Sequence, residues 1–271
     1  GWQATTSSQS LTLAAGDVRE DIDLFDQFIV SETPTVDSVS FSDDGANDTF
    51  RIAPNGTKVE VTVNGNVIVR RSASELTSIT VNGSGDDDTL ILDLGGLAAS
   101  LGLAGNLTFN GNGAGSDNDT LVLQNGSATN IAYSFANASD GTITIDGHSM
   151  IFTGLEPILD NLTTDHREFT FGTTDDVVTL ANDGASNNGQ MTVSSVSSSE
   201  TVTFSNPDIS MGIHLGSGAD QLTVVSLDDG FTGSLTLNGE SGDDTIDASA
   251  INVAIKLNGS GGNDTLTGGT G

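Results

Sequence analysis

Aspartate recurs at a fixed position of a Gly-rich sequence motif that is repeated along the chain. The motif consists of a Gly-rich turn, then Asp, followed in most copies by Thr, then alternating aliphatic residues. It occurs at 43–52, 82–92, 110–123, 215–224, 238–246 and 258–266. If the copies stack as layers, their carboxylates lie about 5 Å apart, the spacing between neighbouring strands, and repel each other unless a cation lies between them. The alternative is that each Asp bonds N–H groups of its turn without a metal.

Short segments of alternating polarity supply the elements that must position these turns. Apolar and polar residues alternate at 79–81, 107–109, 143–145, 235–237 and 255–257, so each segment hides one face. The turn aspartates follow one another at roughly 20 residues or a small multiple of that length. Layers of this length with short strands and Gly corners describe a parallel β-helix. We therefore predict an all-β fold, a right-handed parallel β-helix of roughly ten coils and about 50 Å in length.

The aliphatic residues beside the turns are the predicted core of this fold, because they recur with the period of a half-buried strand. They are Leu90, Leu92, Leu121, Leu123, Val178, Leu180, Leu222, Val224 and Ile246.

Asn-Gly and Asp-Gly dipeptides follow nearly all of these strands and keep a competing fold open. Asn-Gly is the strongest short signal for a tight hairpin, so the alternative is an antiparallel meander. One segment is predicted to be a true hairpin, since Asn64-Gly65-Asn66 lies between the alternating runs 59–63 and 67–69.

The sequence also contains a repeat much longer than a single turn motif. Residues 39–123 align in order with 169–246, with Asp48 matching Asp176 at an offset of about 128 residues. We therefore predict an N-terminal strand segment at 1–35 and a β-helix at 36–271. The helix is interpreted as an internal duplication, 39–168 and 169–271, with the second copy truncated.

Composition excludes several classes of partner. The 271 residues include 37 Asp and Glu, only 7 Lys and Arg and no Cys, and the formal net charge is −30. Nucleic acid is excluded as a natural partner, since phosphate binding needs clustered Lys and Arg, and anionic membrane surfaces are disfavoured for the same reason. No apolar run approaches the ~18 residues of a membrane span. Self-repulsion on this scale would weaken a compact fold unless cations neutralise part of it.

The turns resemble the hemolysin-type, repeats-in-toxin calcium motif, Gly-Gly-x-Gly-x-Asp-x-φ-x, where φ is an apolar residue. The segment 259–267 departs from it only by Ser260, and 239–246 departs by Glu240. In that family the Asp carboxylate and turn carbonyls of successive coils share Ca²⁺, which prefers six to eight hard oxygens. Here, however, the motif returns once per coil or every second coil and not every nine residues. Position by position, the resemblance implies Ca²⁺ ligands at Asp88, Asp119, Asp220, Asp244 and Asp264.

The two ends of the sequence suggest a piece of a longer surface protein. Gly1-Trp2, the run 10–18 and the strand-like 22–25 resemble the last strands of collagen-adhesin B-type domains of bacterial surface proteins; the alternative is an amphipathic cap. At the other end, 268–271 opens a turn that does not close. Segments 11–13 and 22–25 are predicted to pair with a neighbour's sheet.

Enzymatic activity is not predicted. A polysaccharide lyase needs a basic groove, whereas the basic residues are scattered apart from Arg70-Arg71. His148, His166 and His214 lie far apart in sequence and are interpreted as solvent-facing. Paired Asp for glycoside hydrolysis is uninformative in so acidic a chain.

The sequence therefore predicts a structural or adhesive extracellular module of a bacterial surface protein or fibre. Its predicted partners are neighbouring domains of a longer chain or further copies of itself, end to end, with surface polysaccharide as a further candidate. The alternative is a carbohydrate-active or carbohydrate-binding β-helix.

Overall fold

A computed structural model describes residues 35–40, 47–72, 76–95, 107–111, 118–196 and 199–270. All regular elements in these ranges are β-strands, which confirms the all-β prediction. The described ranges contain no helix long and apolar enough to cross a membrane. The predicted N-terminal segment 1–35 lies outside the described residues except for Thr35.

Twenty-two strands are described, most of them short and alternating between buried and partly exposed residues. The first eleven are β1 (Thr35–Ser40), β2 (Thr49–Asn55), β3 (Lys58–Val63), β4 (Asn66–Ser72), β5 (Leu76–Asn82), β6 (Thr89–Asp93), β7 (Leu107–Asn110), β8 (Thr120–Gln124), β9 (Ser127–Phe135), β10 (Gly141–Ile145) and β11 (His148–Thr153). The others are β12 (Ile158–Asp160), β13 (Thr163–Thr170), β14 (Val177–Asn182), β15 (Gln190–Ser195), β16 (Ser199–Ser205), β17 (Ser210–His214), β18 (Gln221–Val224), β19 (Ser234–Ser241), β20 (Thr245–Asp247), β21 (Ile255–Gly261) and β22 (Thr265–Thr267).

The strands form two sheets, and the chain visits them in turn. The ten-stranded sheet has the order β1-β5-β7-β11-β10-β9-β13-β17-β19-β21. The twelve-stranded sheet has the order β22-β20-β18-β14-β15-β16-β12-β8-β6-β2-β3-β4. Strands that follow one another along the chain therefore lie in opposite sheets, except within three antiparallel units that each stay in one sheet.

Parallel pairing dominates over the antiparallel alternative. Of the twenty strand pairs between described residues, fourteen are parallel. The six antiparallel pairs belong to the units β2–β3–β4, β9–β10–β11 and β14–β15–β16. A meander therefore describes only these three units.

The predicted hairpin at Asn64-Gly65 is confirmed as the turn between β3 and β4. Asn64 and Gly65 have φ of 48° and 81°, and positive φ at both central residues is what a tight turn of this kind requires. Asp146 and Gly147 form the same kind of turn between β10 and β11, with φ of 47° and 86°.

The core lies between the two sheets. All nine predicted core residues are buried. They stack in register, as in the row Leu222 and Ile246 of β18 and β20. Aromatic rings join the sheets, with the ring centroids of Phe169 (β13) and Phe204 (β16) 5.0 Å apart. Each layer therefore covers the apolar side chains of the next.

Replacing Leu222 by Ala should lower the free energy of unfolding by about 2–5 kcal/mol, because the buried side chain leaves a cavity in a close-packed row. Val177→Ala, at a side chain 41% exposed on the neighbouring strand β14, is the matched control and should cost far less. Urea unfolding followed by circular dichroism measures both, and equal midpoints for the two variants would contradict the described core.

Candidate functional site

The predicted metal ligands lie at equivalent corners, each directly before a strand of the twelve-stranded sheet. In-register pairing of those strands places the corners one above another. Two further aspartates, Asp48 and Asp176, occupy the same place before β2 and β14. We call the seven residues the aspartate ladder; its members are Asp48, Asp88, Asp119, Asp176, Asp220, Asp244 and Asp264.

Each step of the ladder is a hydrogen bond from a backbone N–H to the carboxylate one layer further on. Oδ1 of Asp88 accepts from the N–H of Asp48 at 2.9 Å, and Oδ1 of Asp119 from that of Asp88 at 2.8 Å. Strands β12, β16 and β15 separate the corner of Asp119 from that of Asp176, so the ladder consists of two columns. In the second column, which begins at Asp176, Asp220, Asp244 and Asp264 accept from the N–H of the preceding aspartate at 2.7, 3.0 and 3.1 Å. The side chains thus clip successive layers together and do not simply close their own turns.

Glycine makes room for the carboxylates. A Cβ at Gly239 or Gly259 would collide with Oδ2 of Asp244 or Asp264. A Cβ at Gly83 would lie 2.6 Å from Oδ2 of Asp88. The Gly of these Asn-Gly pairs is therefore required by close approach of a side chain, which explains why the dipeptide occurs here between parallel strands.

Burial makes the ladder electrostatically strained. Asp88, Asp220 and Asp244 are at most 1% exposed. Removal from water raises the pKa of Asp220 to about 6; the N–H of Asp176 opposes this, while the carboxylates of Asp176 and Asp244 add to it. Burial likewise raises the pKa of Asp88, against bonds from Asp48 and Ser84. Within the described residues, Oδ2 of Asp220 and of Asp244 is buried without a hydrogen-bond partner, so the ladder carries uncompensated acceptor atoms.

The described side chains alone do not supply the set of ligands that calcium prefers. No three His, Cys, Asp or Glu side chains among the described residues converge on one point as a metal site would need. Each layer contributes one carboxylate, and further oxygens would have to come from the backbone. The carbonyl of Gly259 offers one, since it and Oδ2 of Asp244 flank the same space beside Gly239. Calcium binding at the five predicted residues remains a prediction.

The sequence did not reveal a histidine bridged by two carboxylates on the outer face of the ten-stranded sheet. Nε2 of His214 lies 2.9 Å from Oε2 of Glu168, and its Nδ1 lies 2.9 Å from Oε1 of Glu240. The bond with Glu168 is the largest cause of a raised pKa of His214, with burial opposing it and Glu240 adding to it. The other two histidines differ: His166 is half-buried against Ser210 at 2.8 Å, and His148 is exposed.

A second group that the sequence did not reveal is a buried ion pair between the sheets. Arg167 and Asp160 are both fully buried and in contact. Asp160 also accepts from the hydroxyl of Tyr133 at 2.5 Å, and the guanidinium of Arg167 lies 5.2 Å from the ring centre of Phe204. Burial and the Asp160 carboxylate raise the pKa of Tyr133 well above its ordinary value. Only the pairing of strands β9, β12, β13 and β16 brings these four residues together.

An open cleft of about 460 Å³ lies at the start of β9 and β13. Its lining is polar, with three carboxylates, three Thr, one Ser and one Ala. Asp146, one of the three carboxylates, is engaged by the N–H groups of Thr129 and Asn130 at 2.9 and 2.8 Å. The lining residues include no aromatic side chain on which a sugar ring could stack.

Comparison of the chain with protein-family models, with curated proteins and with solved structures finds no match. The likeness of the turns to the repeats-in-toxin motif, and of the N-terminal segment to collagen-adhesin domains, therefore remains a prediction from the residues themselves.

Asp220→Asn should reduce the dependence of stability on pH. Folding raises the pKa of Asp220 from 3.8 to about 6. The stability that the protonated side chain contributes is therefore fully present below pH 3.8 and is lost as the pH rises through 6. The amide keeps the acceptor for the N–H of Asp176 without the charge. The variant should therefore gain stability relative to the native chain at pH 7.5 but not at pH 4.

Urea midpoints at pH 4, 6 and 7.5, measured with a chelator present, test this prediction. Asp229→Asn removes the same charge from an exposed residue outside the ladder and is the matched control. A midpoint difference between Asp220→Asn and the native chain that does not vary with pH would contradict the prediction.

Proposed function

We propose that this chain is a structural or adhesive module of an extracellular bacterial surface protein or fibre. The observation that carries the proposal is the in-register stacking of equivalent turns and strands. It gives an elongated repeat whose layers are held by the aspartate ladder and the core rows. In a fold of this kind each layer contacts only its neighbours, so the number of layers sets the length of the module. We ascribe no catalytic activity to the module.

The chain path is proposed to be a right-handed parallel β-helix of roughly ten coils. Parallel strands reached through a strand in the opposite sheet support this interpretation, since β17 pairs with β19 while β18 pairs with β20. The handedness follows the rule for crossovers between parallel strands. The antiparallel units are then hairpins inserted into individual coils.

End-to-end association with neighbouring domains or further copies is proposed as the way the module works. The outer strands β21 and β22 lie at the same end of the two sheets. Leu266 of β22 is aligned with the buried Ile246 of β20, yet it is 40% exposed. A further layer would cover it, and the N–H and C=O groups of an outer strand are a template for such pairing.

The isolated chain should sediment as species heavier than its monomer mass of 27.6 kDa at micromolar concentration. Leu266→Lys should shift it towards monomer, because a charge replaces the apolar contact. Val196→Lys, at a side chain 85% exposed in a turn, is the control and should leave the distribution unchanged. A well-folded native monomer throughout the concentration range would contradict end-to-end self-assembly.

Calcium is proposed to stabilise the module through the aspartate ladder. The buried Oδ2 atoms of Asp220 and Asp244 and a formal net charge of −30 support this proposal. The carboxylates and turn carbonyls would hold the ion, and its charge would offset their mutual repulsion.

Thermal melts with calcium should show a higher Tm than melts with chelator, and Asp244→Ala should reduce the difference. The control Asp229→Ala removes the same negative charge from an exposed residue and should preserve the calcium effect. Superimposable native melts in both conditions would exclude structural calcium.

A carbohydrate-active or carbohydrate-binding role is the alternative. The cleft at β9 and β13 supplies carboxylates and hydroxyls but none of the aromatic side chains that stack on sugar rings. We therefore favour the structural role.

A further inference from the structure

We propose that His214 is a pH-sensitive clamp that, on taking up a proton, ties three successive strands of the ten-stranded sheet together through Glu168 and Glu240. The proposal is independent of the surface role and of calcium. It concerns strands β13, β17 and β19, which pair in register, so that Thr170, His214 and Asn238 form one row.

The two carboxylates reach the imidazole from opposite sides. Glu168 lies on β13, two residues before Thr170, and pairs with Gly212. Its side chain extends over Gly212, where any Cβ would collide with the carboxylate. Its Oε2 thereby comes within 2.9 Å of Nε2 of His214. On the other side, Oε1 of Glu240 lies 2.9 Å from Nδ1. An imidazole that donates to both carboxylates must carry a proton on both nitrogens.

When the imidazole of His214 is neutral, its Nδ1 has Asn238 as its partner in place of Glu240. Nδ2 of Asn238 lies 3.2 Å from Nδ1 of His214, and an amide N–H can only donate. Asn258 donates to Oδ1 of Asn238 at 2.5 Å. In the neutral state the bonds therefore run in one direction, from Asn258 through Asn238 and His214 to Glu168. When Nδ1 is protonated, both it and the amide of Asn238 are donors, so the hydrogen bond between them is lost. Nδ1 then donates to the carboxylate of Glu240.

The backbone conformation of Glu240 belongs to its turn. Glu240 has φ of 72°, in the left-handed region that side chains other than Gly, Asn and Asp enter at a cost. Its neighbour in the next layer, Ser260, has φ of 71° but reaches no histidine. The turn therefore adopts this conformation without an ion pair, and the contact with His214 adds a side-chain bond to a turn that is already formed.

The charged groups around the clamp favour the protonated form. Besides Glu168 and Glu240, β13 carries Asp165, the buried Arg167 and His166, which is bonded to Ser210. The exposed Lys256 on β21 lies three strands from Glu168 along the same row. Strand β9, on the far side of β13, has no charged residue. Two carboxylates in direct contact outweigh one distant ammonium group, in agreement with the raised pKa of His214.

The sign of the effect follows from this shift. A histidine whose pKa is raised by folding contributes stability that is fully present below its ordinary value of 6.5 and is lost as the pH rises through the folded value. The clamp is therefore closed in mildly acidic surroundings and open in alkaline ones.

Nitrogen-15 NMR of the three histidines tests the clamp directly, because the ring nitrogen shifts report both the pKa and the tautomer. In the native chain His214 should titrate above 6.5, with both nitrogens protonated at low pH and Nε2 alone protonated at high pH. Glu168→Gln should bring its midpoint back towards 6.5, and Glu240→Gln should lower it less. The ring signals of His148, which is exposed, serve as the internal control in both variants.

The pH dependence of stability provides a second readout, because a general folding defect would lower the urea midpoint at every pH. His214→Asn puts into the row the residue already present at Asn238 and Asn258, so the variant should fold. Its urea midpoint relative to the native chain should fall at pH 5.5 and recover at pH 8.5, whereas His148→Asn should show no such change. An equal midpoint difference at both pH values, or a His214 midpoint that neither glutamate variant moves, would overturn the proposal.

Discussion

The fold depends on one repeated interaction, the hydrogen bond from a corner N–H to the aspartate carboxylate of the next layer. Parallel strands this short supply few ladder bonds per layer, and β20 and β22 have three residues each. At five corners a carboxylate adds a bond that joins one layer to the next. It also fixes register, because a slip of one residue would turn the Asp to solvent and the following Thr to the core. Glycine beside the carboxylates of Asp88, Asp119, Asp244 and Asp264 and the apolar rows between the sheets are consequences of the same arrangement.

Much of this arrangement could be predicted from sequence, because its signals are local. Asp, Thr and alternating aliphatics place one residue in the corner, one outside and the rest alternately in the core, and all nine proposed core residues are buried. Asn-Gly was ambiguous for a physical reason: at Asn64-Gly65 it supplies positive φ, whereas at Gly83 and Gly239 it supplies space for a carboxylate. The bridging of His214 and the burial of Arg167 depend on strand register between residues far apart in sequence, so no local pattern could reveal them.

Two of the three antiparallel units compensate each other in the number of strands that they add to the two sheets. The unit β9–β10–β11 adds two strands to the ten-stranded sheet, and β14–β15–β16 soon afterwards adds two to the twelve-stranded sheet. Between the two insertions the sheets are displaced by two strands, and here Asp160 and Arg167 form their buried pair. A buried ion pair contributes little net stability but strongly disfavours arrangements that separate its members. We interpret it as the element that fixes which strands meet across the displaced region.

The same corner bonds set a limit on assembly. Each layer with a ladder aspartate adds a carboxylate about 5 Å from the last, and the second column already places four in sequence, with the pKa of Asp220 raised to about 6. If modules join end to end as proposed, every added module lengthens a line of like charge while burying apolar residues such as Leu266. Apolar burial is a local gain, whereas repulsion along the line is longer in range and is weakened by salt and by bound cations. The cation content of the surroundings, more than the strand edges themselves, would then decide how far such an array grows.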